Sequence, residues 1–324
     1  MASGGTISLS GGTTMTTVVA GTDVFEDDDF NKPNQNNERL LGTATPQTLG
    51  TYSESNTYGW GQGGTGVANA AVSANVLVNG ASGAFKELQD DVQAACAFLG
   101  QAVRAGVGTD VTTSTTITAA TWNNLMLNIE DCWVNRFSPA SLTTTTDGST
   151  PTFTGTWTNT LTCTSTWTFG SANDCRAFFN GGGQLGLSIS YSNNAGTQND
   201  TWETRFATLG DIFITHNTTT AGAGTNAGLG FYELTTSNQQ LLIYYGAAAP
   251  YSNDYFRVYA RVNSTTNPTV IYFVTEFVDQ GDNVVDASVE VDITVNARRR
   301  QPDANGSGFV FSVPVDAPGT ITGS

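Results

Sequence analysis

The chain has 324 residues, enough for one large or two ordinary domains with real cores; 39% are hydrophobic and only 12% charged. Its 28 acidic and 12 basic residues give a net charge of -16, which argues against binding nucleic acid through its phosphates. One histidine, with four cysteines (Cys96, Cys132, Cys163, Cys175) in no CxxC pairing, argues against a zinc site. Small buried thiols are the expectation, and no cofactor is expected.

Met1–Ser10 carries no basic region, apolar stretch or cleavage pattern, and no window approaches 18 uninterrupted apolar residues. The expectation is a chain made and assembled in the cytosol, with no membrane span. Residues 1–70 are rich in Gly, Thr and Asn, with an acidic run Glu26-Asp27-Asp28-Asp29 and no sustained helical or alternating pattern. Isolated, such a segment is disordered. Apolar islands at Val18, Val19, Val24, Phe25, Phe30, Leu40, Leu41, Tyr52, Tyr58 and Trp60 suit an extended N-terminal arm that orders against neighbouring subunits, with a flexible tail as the alternative. The glycine-rich Gly59–Gly64 has no following lysine and reads as a loop or hinge.

Residues 71–150 change period. Phe85, Leu88, Val92, Ala95/Cys96, Leu99 and Val103 fall at steps of three and four, the stripe of an amphipathic helix with Ser82 as its N-cap, stopped by Gly106 and Gly108. A second stripe, Trp122, Leu125, Ile129, Cys132/Trp133 and Phe137, begins at Thr118 or Thr121 and ends before Pro139. Two such helices predict a helical hairpin that also serves oligomerisation.

Residues 151–324 read as β. Every even position from Thr154 to Thr168 is threonine, while Phe153, Trp157, Leu161, Cys163, Trp167 and Phe169 occupy odd ones. A strand sends alternate side chains to opposite faces, so the run separates a threonine face from an aromatic one. It predicts either two strands with a turn near Thr158–Thr160 or one long strand. Further short runs follow, Leu185–Tyr191, Ile212–Ile214, Phe231–Leu234, Leu241–Tyr245, Tyr255–Val262, Val270–Val278, Ala287–Val295 and Phe309–Val313, so that about nine short strands in all are separated by Asn/Gly turns. The expected fold is mainly β: an antiparallel β-sandwich or jelly-roll-like C-terminal domain preceded by the helical hairpin and the arm.

Catalytic candidates are thin. His216 sits at a strand end with no nucleophile elbow in the chain. Asp174, Glu203, Asp211, Glu233 and Asp254 offer carboxylates, but no spacing selects a glycosidase pair. Asp279, Asp282 and Asp286 surround a Gly turn without the twelve-residue calcium-loop pattern. Arg298-Arg299-Arg300, the one dense basic cluster, reads as a charged loop. Aromatic side chains are plentiful, and exposed ones could stack on sugar rings, although most belong in a core.

Ile117–Ile129, with its Trp122-Asn123, and Trp167–Ser190, with Phe178-Phe-Asn-Gly-Gly-Gly183 leading to an alternating strand, resemble virion structural proteins of tailed phages, especially those of cyanobacteria. The match covers about residues 80–195. It implies a non-enzymatic building block of the tail, fibre or baseplate, localised in the virion, with other copies of itself (as a trimer) and other virion proteins as partners. A host surface glycan is a further candidate partner. The alternatives are a carbohydrate-binding adhesion module at the particle tip, a capsid-decorating protein, or a polysaccharide depolymerase. An assembly interface is expected at Phe25, Phe30, Trp60, Trp122, Leu125 and Trp133.

Overall fold

The computed structural model describes residues 6–9, 14–17, 27–42, 59–62, 84–112, 115–192, 196–246, 251–280, 289 and 291–323. These form three antiparallel sheets and five helices, with sheet predominant, so the mainly β reading holds at that level. The chain divides into two discontinuous units. One comprises Met1–Leu142, Arg176–Gly182 and Pro302–Phe311; the other comprises Thr143–Cys175, Gly183–Gln301 and Ser312–Ser324. That division cuts across the consecutive ranges 1–70, 71–150 and 151–324.

The first unit holds a two-stranded ribbon, β1 (Thr6–Ile7) and β2 (Met15–Thr16), with α1 (Asp27–Leu41), α2 (Ala84–Leu99) and α3 (Ala119–Val134). The expected stripes are the buried ones. Phe85, Leu88, Val92, Ala95 and Cys96 on α2 share one core with Trp122, Leu125, Ile129 and Cys132 on α3. Thr118 caps α3, its hydroxyl accepting the Thr121 N–H at 3.1 Å. α2 ends sooner than Gly106, because Gly100 takes φ +65, the left-handed conformation that closes helices, and Val103 is left outside it, exposed. Ser82 lies outside the described residues.

The reading of residues 1–70 as an arm without helical pattern is corrected by α1. Phe30, Leu40 and Leu41 from α1 and Trp60 beyond it are buried in the same core as α2 and α3. Trp60 packs edge-on against Phe98 at 4.8 Å, and its indole N–H donates to the Arg136 carbonyl at 2.8 Å. Gly59 lies so close to the end of α1 that a Cβ there would stand 2.4 Å from the Arg39 and Leu40 carbonyl oxygens. That close approach, and not hinging, is what Gly59 provides. Val18, Val19, Val24, Phe25, Tyr52 and Tyr58 fall outside the described residues.

The second unit begins with β3 (Leu142–Ser149) and β4 (Asn159–Thr168), then α4 (Ala172–Asn180), which runs on into residues of the first unit. After it come β5 (Gln184–Ser192), α5 (Thr197–Leu209), β6 (Ile212–Ile214), β7 (Thr219–Thr220), β8 (Thr225–Asn226) and β9 (Gln239–Tyr245). The last strands are β10 (Tyr255–Val262), β11 (Val270–Asp279), β12 (Asp292–Pro302), β13 (Val315–Ala317) and β14 (Thr322–Gly323). One sheet runs β13-β4-β11-β10-β9-β8, with β14 also on β4; the other runs β3-β12-β5-β6-β7.

The threonine run is shared between the two. Asn159 adopts φ +68 and breaks it; ahead of the break Phe153 and Trp157 bridge to Ile293 and Val289, while beyond it β4 joins the larger sheet. Within β4 the odd residues Leu161, Cys163, Ser165 and Trp167 are buried, as alternation requires. α5 buries Trp202 and Phe206, the latter against Tyr191 of β5 and against Phe256 and Phe277 of the larger sheet.

Two strand expectations fail. Phe231–Glu233 is a 3₁₀ turn. Phe309–Val313 is not strand; its Phe309 and Phe311 instead pack on Phe98 in the first unit. The all-β reading also passed over α4 and α5.

Two predictions follow from the first unit's core. Leu125 is fully buried, so Leu125→Asp places a charge among apolar side chains and should cost about 4 kcal/mol or more of folding stability. An unchanged denaturant midpoint would contradict that burial. The second concerns α1 and α2. Burial, then the charge of Asp91, lifts the Glu38 carboxyl to about 7, against a hydrogen bond from Asn34. Burial, then Asp90 and Glu87, lifts Asp91 to about 6, against a hydrogen bond from Asn37. Carboxyls raised in the fold contribute stability that is complete below the unfolded value near about 4 and is lost as pH rises through the folded values. Glu38→Gln should therefore raise the melting temperature at about pH 7.5 and leave it nearly unchanged at about pH 4.

Candidate functional site

The sequence-derived candidates are engaged in the scaffold. His216 follows β6 in a turn, and its carbonyl accepts the Tyr232 N–H at 3.1 Å. Asp174 accepts hydroxyls from Ser171 and Ser312, both at 2.8 Å. Glu233 accepts the Gly230 N–H at 2.9 Å and closes the turn at Phe231. Glu203 is half-buried on α5. Asp254 is buried and accepts the Gln280 N–H at 3.0 Å, with the Arg205 guanidinium nearby. Burial lowers that guanidinium to about 10 against the pull of Asp254, and it stacks 3.9 Å from the Trp202 ring. Asp279 accepts from Gln198 at 3.1 Å, whereas Asp282 and Asp286 lie outside the described residues. Among the described residues no group of three His, Cys, Asp or Glu is placed to hold a metal ion. No helix there is long and apolar enough to cross a membrane.

All four cysteines are buried and free, with the Cys96 and Cys132 sulfurs 3.6 Å apart. Of the expected assembly interface, Phe30, Trp60, Trp122, Leu125 and Trp133 are buried in the first unit's own core, and Phe25 is outside the described residues. Their place is between helices of one chain.

Arg298, Arg299 and Arg300 are strand, not loop. Strand alternation in β12 divides them: Arg298 bonds Thr146 and pairs with Asp211 at 3.2 Å, and Arg300 bonds Gln184 at 3.1 Å and stacks 4.1 Å from Phe213. Arg299, nearly buried, grips both Asp147 oxygens, at 2.7 and 2.9 Å. Asp316 stands by the same carboxylate. Burial, then Asp147, lifts it to about 6, and neither of its oxygens has a hydrogen-bond partner among the described residues.

Among the described residues, a large group of polar and aromatic side chains faces outward on the larger sheet. Along β10, Tyr255, Arg257, Tyr259 and Arg261 alternate with buried Phe256, Val258, Ala260 and Val262. Register carries the same face across the neighbours. Opposite these four on β11 stand Val278, Glu276, Val274 and Tyr272, and beyond them on β4 stand Thr160, Thr162, Thr164 and Thr166. On β9, Tyr245 and Ile243 oppose Tyr255 and Arg257. The Arg257 guanidinium lies between two rings, 5.1 Å from Tyr255 and 5.0 Å from Tyr259, and its Nε donates to Glu276. Burial would lower Arg257, but the bonded, charged Glu276 outweighs it and the net shift is upward. Burial chiefly lifts the Tyr259 hydroxyl above its ordinary range. Arg261 stacks 3.7 Å from the Tyr272 ring, and Tyr245 meets Tyr255 at 5.5 Å.

Such a face offers aromatic surface, fixed cations and threonine hydroxyls together. The signal was in the sequence: Tyr255-Phe-Arg-Val-Tyr-Ala-Arg-Val262 alternates without a break, and reading its odd positions as a set would have found the face. Comparison with family models, curated proteins and solved structures finds no match.

The Arg299 pair is directly testable. Arg299→Met should cost about 3 kcal/mol, because it leaves the Asp147 carboxylate without its main partner next to Asp316. Adding Asp316→Asn should recover part of that loss at neutral pH in a denaturant-unfolding cycle. Full additivity would show that the two carboxyls do not interact.

Proposed function

We propose that this chain is a non-enzymatic structural subunit of a tailed-phage virion, associated with the tail, fibre or baseplate and taking part in host attachment. The observation that carries the reading is how the polar side chains are spent. The catalytic candidates Asp174, Asp211 and Glu233 are held in structural bonds, while a large outward aromatic and cationic group lies across a sheet face. A broad sheet face suits binding better than bond-breaking, which uses concave sites. The resemblance of Ile117–Ile129 and Trp167–Ser190 to virion proteins supports the same reading, and those segments form α3, the end of β4, α4 and β5.

The finer architecture belongs to this proposal too: a jelly-roll-like sandwich in the second unit, a helical hairpin in the first, and self-association as a trimer. A second reading, a carbohydrate-binding adhesion module, is favoured by the tyrosines of β10 and β11.

Antibody against the chain should label the tail or baseplate in electron micrographs of the source particle. His216→Ala should leave particle infectivity unchanged. Absence of label from intact particles, or loss of infectivity from correctly folded His216→Ala particles, would count against a structural subunit.

A further inference from the structure

We infer that the outer face of the larger sheet binds an acidic polysaccharide, a glycan whose sugars carry carboxylates. The inference does not rest on the virion reading, because a free adhesion module would use the same face.

The ligand class follows from three features. Tyr255 and Tyr259 stand four residues apart on one strand, with the Arg257 guanidinium between their rings, 5.1 and 5.0 Å from them. Rings held at intervals by a rigid sheet suit an elongated ligand with repeated apolar patches, which the C–H faces of pyranose rings provide. The second feature excludes an extended peptide. β4, β10 and β11 each have a strand on both sides, so this face has no free backbone edge for strand addition. Its hydrogen-bonding groups are hydroxyls, the β4 threonines and the tyrosines, which match sugar hydroxyls. The third is charge. Glu276 answers Arg257, but Arg261 has only the Tyr272 ring and no carboxylate partner among the described residues. A neutral sugar offers that cation only hydroxyl acceptors, whereas a sugar carboxylate offers the stronger charged hydrogen bond.

The chain's net charge of -16 opposes any polyanion at long range, but at about 0.15 M salt that field is screened beyond about 8 Å, while a charged contact on Arg261 acts at about 3 Å.

The test is affinity electrophoresis of the full-length chain in gels containing sodium polygalacturonate or neutral dextran, at about 0.15 M salt. Polygalacturonate should retard the chain and dextran should not. Arg261→Gln and Tyr259→Ala should each weaken retardation about tenfold in apparent Kd, about 1.4 kcal/mol. Arg104→Gln, an exposed arginine of the helical unit paired with Asp131, should bind as the parent does. If either face variant misfolds by circular dichroism, Thr164→Glu decides the matter: Thr164 is exposed on β4, so a carboxylate there should repel the ligand without disturbing the core. No retardation of the parent, equal retardation by dextran, or parent-like binding by the folded face variants would overturn the inference. So would light scattering in which Thr164→Glu converts a dimer to a monomer, since a second copy would then be the occupant. Loss of particle labelling with retained polygalacturonate binding would fail the virion reading alone.

Discussion

The pairing of β4 with β11 is the constraint on which the second unit depends. Its register runs without a break from Asn159 opposite Asp279 to Thr168 opposite Val270. Because side chains alternate with a period of two, that register alone decides that Leu161, Cys163 and Trp167 go inward and the threonines outward. β13 and β14 then attach to the opposite edge of β4, and β10 attaches to the free edge of β11. A slip of one residue would expose Trp167 and bury threonine hydroxyls. A slip of β11 instead would turn Tyr272 and Glu276 inward, away from the arginines of β10.

What was legible in the sequence was what a single period could carry. The α2 and α3 stripes, the threonine alternation and the β9–β11 runs all follow one period over enough residues to stand out. α1 does not. Its Asp, Asn and Pro33 mask a buried side made of Phe30, Leu40 and Leu41 together with polar Asn34, Asn36 and Asn37. α5 was readable in principle: Gln198, Trp202, Arg205, Phe206 and Leu209 fall at helical steps and all are buried. Its polar members broke the apolar stripe, and buried Gln and Arg are too uncommon to be anticipated. Phe309–Val313 shows the opposite error. Alternation there suits a strand, but Phe309 and Phe311 are claimed by the aromatic side of Phe98. The candidate face was missed for a different reason: a strand run was sought for its buried positions, and its outward ones went unread.

Sparse charge makes each ion informative. With 12% charged residues, most arginines of the second unit have assigned work: Arg298 and Arg299 hold carboxylates, Arg257 holds Glu276, Arg300 covers Phe213 and Arg205 covers Trp202. Arg300 also bonds Gln184 and Arg205 has Asp254 nearby, whereas among the described residues Arg261 has the Tyr272 ring alone. In a chain this acidic, a cation left without a carboxylate is not explained by a shortage of carboxylates. That is why the charge of Arg261 carries more weight for a ligand than the basic run 298–300, whose members are already satisfied.

The interleaving of the two units changes what truncation means. Residues up to 70 supply Phe30, Leu40, Leu41 and Trp60 to the helical unit's core, and Phe309 and Phe311 return to it from near the other end of the chain. Removing residues 1–70 therefore excises core. Failure of such a variant to assemble would report a damaged helical unit as readily as a missing arm. A fragment of residues 151–324 meets the mirror problem, since it keeps Phe309 and Phe311 but loses the Phe98 they pack on. Each exposed phenylalanine then adds apolar surface that favours non-specific association. Glycan binding or oligomerisation measured on either piece would confound exposed core with native surface, so point variants in the full chain are the sound route to both questions.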